Sequence, residues 1–156
     1  MTFESPKPMA VSESSRAVMR ANRAESAPER ALRSVLHRRG LRFRKHVALL
    51  PGARCRPDVV FSPAQVAVFV DGCFWHRCPA HYRPSQQNSR WWDLKLTRNV
   101  QRDREQDRLL ADAGWLVLRV WEHEDPKTAA DRIIAIVGER RAAVRDGRHR
   151  VRQVAH

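Results

Sequence analysis

The stretch Val66-Ala67-Val68-Phe69-Val70-Asp71-Gly72-Cys73-Phe74-Trp75-His76-Arg77-Cys78-Pro79-Ala80-His81 decides how this chain reads. It opens on a continuous apolar run, the signature of a central strand buried on both faces. An acid, Asp71, ends the run. A loop over residues 71–88 then crowds cysteine, histidine, proline and glycine together.

Secondary structure alternates on both sides of this stretch. Upstream, residues 56–61 form a strand that pairs with 65–70 across Ser62-Pro63-Ala64, and residues 41–47 read as a further strand, followed by a turn at Leu50-Pro51-Gly52. Earlier still, Ser26 sits at an N-cap, Pro28 in the first turn, and Glu29 completes a capping box. Ala31, Leu32, Val35 and Leu36 give that helix an apolar stripe, and Gly40 stops it. Downstream, residues 89–113 form a long charged helix ended by Gly114, 115–121 a buried strand, and 126–145 a last helix. The order predicts an α/β fold, a mixed sheet flanked by helices on both faces. Neither a repeat nor a linker divides the chain. The expected organisation is a flexible tail over 1–14, a single domain over 15–145 and a frayed basic tail over 146–156.

Charge narrows the partners. Among 156 residues, 30 Lys+Arg face 17 Asp+Glu, a formal net charge of +13. Such a field attracts polyanions, so nucleic acid leads and an anionic membrane follows. Arginine dominates, since the lysines are Lys7, Lys45, Lys95 and Lys127. Arginine grips phosphate bidentately, although a GC-rich genome produces the same bias. No apolar run approaches the roughly 18 residues of a membrane span. With no signal peptide at the N-terminus, a cytoplasmic protein is expected. Three cysteines make a poor disulfide framework, so metal binding or burial explains them better.

Two constellations carry chemistry. Asp58, in Pro57-Asp58-Val59-Val60, starts a buried strand and needs a partner there, either a backbone amide or a magnesium ion. Asp71 ends the neighbouring strand, so the two carboxylates are expected at one sheet edge, able to hold Mg²⁺ together with a backbone carbonyl. His76 follows and can carry protons near neutral pH. The second constellation is Cys73, Cys78 and His81, a C-x₄-C-x₂-H spacing that predicts a zinc site with His123 as the fourth ligand. The alternative is two buried thiols beside a surface histidine. Cys55 lies outside this loop and reads as a strand-edge thiol. Phe74 and Trp75 either close a core or stack on bases, and Met19 offers a second wedge. On the long helix, Lys95, Asn99 and Arg102 recur on one side, where they can face phosphates.

Together these residues resemble the very short patch repair endonucleases. The likeness runs from Ser15-Arg16-Ala17-Val18-Met19-Arg20-Ala21 to Trp121-Glu122 and includes Glu29, the Leu-Pro-Gly turn, Pro57-Asp58, Gly72-Cys73-Phe74-Trp75-His76, Trp92, Lys95, Asn99, Arg102-Asp103 and Gly114-Trp115. The resemblance implies a restriction-endonuclease-like fold with a zinc-bound loop. It implies Asp58 as the principal magnesium ligand, the Val70 carbonyl in the same shell, His76 as the catalytic histidine and Glu29 in support. It also implies that Phe74, Trp75 and Met19 intercalate beside a mismatch. Asp71 stands where the family has a histidine, so it is expected either to bind metal or to lose that histidine's phosphate contact. The zinc set is also altered, and Ala53-Arg54-Cys55 are extra residues.

The expected activity is Mg²⁺-dependent nicking of one DNA strand 5′ to the thymine of a T:G mismatch, by a bacterial, nucleoid-associated monomer. Other mismatch-repair proteins and a repair polymerase are the implied partners. A nuclease for another lesion or a specific site is the first alternative. A zinc-stabilised, non-catalytic DNA-binding module is the second.

Overall fold

In the computed structural model, residues 13, 16, 17, 25–146 and 154–155 are described. Helix α1 spans Ala27–Arg38. Strand β1, Val59–Phe61, leads through a 3₁₀ turn at Ser62–Ala64 into β2, Val66–Asp71. Helix α2 is Ser89–Asp112, β3 is Leu116–Trp121, α3 is Pro126–Arg145, and a short β4 is Val154–Ala155. β1 pairs antiparallel with β2, and β2 parallel with β3. β4 extends this mixed sheet by pairing parallel with β3.

The hairpin turns where Gln65 takes a left-handed backbone, φ 51°, directly after the 3₁₀ turn. β2 then crosses through α2 to β3, the connection that parallel neighbours require. Pleating divides the side chains between two faces. Val66, Val68, Leu118 and Val120 pack under Leu32, Val35 and Leu36 of α1 and Ala130, Ile133 and Val137 of α3. On the opposite face Val117 and Phe69 meet Leu110 of α2 and Cys55. Helices therefore cover both faces. Truncating a fully buried residue such as Leu36 to alanine costs about 2–5 kcal/mol.

At the start of α1 the Ser26 hydroxyl oxygen accepts the Glu29 N–H, as a capping box requires. The return arm differs, because Ser26 Oγ itself donates to Glu29 Oε1 at 3.0 Å. Two expectations need correction. Residues 41–47 form no strand, only a single antiparallel bridge between Arg44 and Val60. The three-residue β1 offers no longer ladder, and His46 turns away at φ 53°. The tail over 146–156 is not wholly frayed, since Val154 and Ala155 pair with β3. Among the described residues, no helix is long and apolar enough to cross a membrane.

Candidate active site and metal centre

Asp58 sits where β1 begins, beside the C-terminal end of β2. Its carboxylate Oδ2 accepts the Val70 N–H at 2.7 Å. Its carbonyl accepts a hydrogen bond from Arg33 Nη1. Burial, aided by the negative charge of Glu29, pushes its pKa up to about 7 despite the Val70 amide. Uncompensated, this carboxylate holds a proton near neutrality; a cation beside it would restore the charge. The Asp71 carbonyl accepts from Glu122 N–H on the β3 side. Strand alternation therefore turns the Val70 carbonyl the other way, towards Asp58.

Glu29, on the first turn of α1, and His46 complete this corner. Ligand atoms of Glu29, His46 and Asp58 all lie within 4.8 Å of one another. Glu29 Oε2 is buried without a hydrogen-bond partner, 3.7 Å from Arg33 Nη1. Carboxylates and a backbone carbonyl converging this way suit a hard divalent cation, so the donor set fits Mg²⁺. The sequence reading missed His46, whose segment it took for an ordinary strand.

Asp71 does not join that corner. Both its oxygens accept from Arg119 Nη1, at 2.8 and 3.0 Å, and Asp107 takes Arg119 Nε and Nη2. Asp71 continues the Ala67–Phe69 face, towards α2, whereas Asp58 leaves the regular ladder, its N–H donating to the Val68 carbonyl and its own carbonyl accepting from Arg33, so that its corner opens beside α1. Placing Asp71 in the magnesium shell is corrected accordingly. Arg119 was legible in principle, because a charge inside an apolar strand needs buried partners. It pairs in register with Phe69, two residues from Asp71.

His76 stands on the same side as Asp71. Its Nδ1 makes a very short contact with Asp103 Oδ2 of α2, and its Nε2 lies 3.8 Å from Asp71 Oδ1. Burial works against the imidazolium, but the Asp103 hydrogen bond and the charges of Asp71 and Asp103 outweigh it, and the pKa of His76 is raised. The imidazolium form is thus favoured relative to a free histidine, with Nε2 turned away from the Asp103 anchor. The sequence reading placed Asp103 only as part of a charged face. A cleft lined by His76, Asp103, Arg104 and Trp121 opens beside this ring.

Cys73, Cys78 and His81, in the loop between β2 and α2, and His123, just past β3, bring their ligand atoms within 4.8 Å of one another. Cys73 Sγ is 3.1 Å from His123 Nδ1, and Cys78 Sγ 3.7 Å from both His81 Nδ1 and His123 Nδ1. The set of two thiols and two imidazoles fits a tetrahedral zinc. Glu122 Oε1 accepts the Cys73 N–H at 2.7 Å, and a Cβ on Gly72 would stand 3.3 Å from Trp75, so the loop entry is tightly packed. Cys55 is a buried core thiol rather than a strand-edge one.

Phe74 and Trp75 are half-buried in an aromatic cluster with Trp92 and, for Phe74, Tyr82. Lys95 lays its ammonium over Trp91 at 4.8 Å as well as over Trp75 and Trp92. The aromatics and the expected phosphate-binding lysine thus form one surface. Asn99 is half-buried a turn before Asp103, and Arg102 is exposed. Met19 lies outside the described residues.

Residues 10–81 match the family model described as DNA mismatch endonuclease Vsr. The chain is 49% identical to the type II nicking enzyme V.NaeI of Lentzea aerocolonigenes, over 74% of this chain and 72% of that one. It is 41% identical to the type II nicking enzyme V.XorIIP of Xanthomonas oryzae pv. oryzae, over 62% of this chain and 70% of the relative. It is 38% identical to the DNA mismatch endonuclease Vsr of Escherichia coli K12, over 63% of this chain and 62% of that protein.

Proposed function

This chain belongs to the Vsr family of DNA endonucleases, hydrolases of the phosphodiester bond, and on that premise we propose that it nicks one strand of duplex DNA 5′ to the thymine of a T:G mismatch. The observation that carries the chemistry is the junction at the end of β2. There Asp58 and His76 serve two constellations joined through Val70 and Asp71.

Asp58, Glu29 and the Val70 carbonyl would hold Mg²⁺. Bound there, Mg²⁺ supplies charge neutralisation on the scissile phosphate and lowers the pKa of water. Glu29 shares the negative charge that draws the cation in. Hydrolysis adds a water oxygen to phosphorus, releases one proton of that water to solvent and breaks the bond to the leaving oxygen. His76 gives its Nε2 proton to that oxygen, while Asp103 holds the ring through Nδ1 and Arg119 keeps Asp71 from wandering into the site. Cys73, Cys78, His81 and His123 would hold Zn²⁺, fixing the loop that carries Phe74, Trp75 and His76.

The basic charge supplies sequence-independent grip on the duplex. Phe74 and Trp75 would wedge beside the mismatched pair, with Lys95, Asn99 and Arg102 on the flanking phosphates. A repair polymerase, and other mismatch-repair proteins, would act on the nick. The test is cleavage of a T:G duplex beside its T:A control. A second reading is nicking at a specific matched sequence. It is favoured because the relatives of 49% and 41% identity are named type II nicking enzymes. Equal nicking of both duplexes would select it.

A further inference from the structure

His46 is anchored beside Asp58. Arg44 and Val60 exchange both backbone hydrogen bonds of an antiparallel pair, Arg44 N–H to the Val60 carbonyl at 2.9 Å and Val60 N–H to the Arg44 carbonyl at 2.8 Å. The His46 N–H donates to the Pro57 carbonyl at 3.0 Å, which fixes the segment there. The backbone of His46 is left-handed, φ 53°. Such a conformation costs energy outside glycine, and it recurs where a residue is aimed at a ligand.

The imidazole reaches the corner. Its Nδ1 is 3.9 Å from Asp58 Oδ1. Two ligands each about 2.1 Å from one octahedral ion stand about 3 Å apart when adjacent and about 4 Å apart when opposed. The spacing therefore accommodates one ion between them. Glu29 lies within the same 4.8 Å group, and its Oε2 is the buried atom that lacks a hydrogen-bond donor.

We infer that His46 is a further ligand of the cation at the Asp58 corner, which makes this an N/O site that prefers Mn²⁺ to Mg²⁺. The inference rests on the proposed reading of Asp58 as a cation ligand. Its physical reason is softness: imidazole nitrogen favours borderline transition metals, whereas Mg²⁺ prefers oxygen. An all-oxygen corner built from Asp58, Glu29 and the Val70 carbonyl would lack this preference.

The test is calorimetric titration of zinc-loaded, DNA-free protein with MnCl₂ and, separately, with MgCl₂. The variants are His46→Asn, His46→Gly and Asp58→Asn. Asparagine and glycine both tolerate the left-handed backbone, so the segment keeps its shape. The expected result is that His46→Asn and His46→Gly weaken Mn²⁺ by about tenfold or more and Mg²⁺ much less. In wild type, traces of Mn²⁺ should broaden the ring signals of His46 before those of the exposed His37. An unchanged ratio of Mn²⁺ to Mg²⁺ affinity in both His46 variants, with Asp58→Asn abolishing binding, overturns the role of His46 alone. The same unchanged ratio with weakened binding of duplex DNA reassigns His46 to a phosphate. Unaltered binding of both metals in Asp58→Asn overturns the cation reading of the corner itself, whatever His46 does.

Discussion

Arg119 clasps Asp71 from the middle of β3, its Nη1 lying 2.8 Å from one carboxylate oxygen and 3.0 Å from the other. Asp107 takes the rest of the guanidinium, and all three residues are buried. The cluster fixes the end of β2 without drawing on the cation corner. Replacing Arg119 by methionine leaves two buried carboxylates unpaired. Urea unfolding should report a loss of about 3–5 kcal/mol. Asp71→Asn should also lower stability while leaving Mg²⁺ affinity within about twofold. A loss of Mg²⁺ affinity matching that of Asp58→Asn would return Asp71 to the metal shell.

Asp58 is the residue on which cutting depends. Asp58→Asn should lower the nicking rate by at least about a thousandfold. Duplex affinity, measured by fluorescence anisotropy in EDTA, should stay unchanged, because the contacts to phosphate come from elsewhere. Glu29→Gln should cut the rate less and raise the Mg²⁺ concentration needed for half-maximal activity.

His76 and Asp103 set a pH limit. The raised pKa of His76 in the folded protein means that the folded state binds its proton more tightly than the unfolded chain does. The stabilisation is therefore fully present below the ordinary value of 6.5 and is lost as pH rises through the folded pKa. The nicking rate should fall over that same alkaline limb, where the proton donor is lost. Asp103→Asn removes the hydrogen bond that raises the pKa, and should move the limb to lower pH. NMR titration of the His76 ring should shift in parallel. His76→Ala should cost about a hundredfold to ten-thousandfold in rate.

The Cys/His cluster should hold the loop. Stripping zinc with a strong chelator, or Cys78→Ser, should lower the melting temperature by about 10 °C. It should also loosen His76 enough to abolish nicking. Restored zinc should recover both in the wild type. Colorimetric zinc release upon thiol modification should give one zinc per chain, and its absence would leave the cluster as packed thiols.

The parts of the fold written in local chemistry were the parts legible beforehand. Ser26, Pro28 and Glu29 announced α1, and the apolar run over 66–70 announced β2. Cys73, Cys78 and His81 announced their cluster because ligands of one short loop need no tertiary knowledge to be brought together. Pairings across the sheet were not legible. Asp58 leads into one strand and Asp71 ends its neighbour, and only their tertiary partners, Arg33 of α1 and Arg119 of β3, reveal that they serve different sites. Arg119 and Asp107 meet because α2 crosses over β3, and His46 meets Asp58 through a single bridge too short to leave a strand pattern. Asp103 was hidden by its neighbours, being one acid among many on a charged helix.

One measurement bears most directly on the account: strand-resolved cleavage of an end-labelled duplex carrying a single T:G mismatch, beside its T:A control, with Mg²⁺ and with EDTA. A single nick 5′ to the thymine, confined to the mismatched duplex and to Mg²⁺, is the predicted result. Metal-dependent nicking of both duplexes alike, or cutting that persists in EDTA, would contradict it.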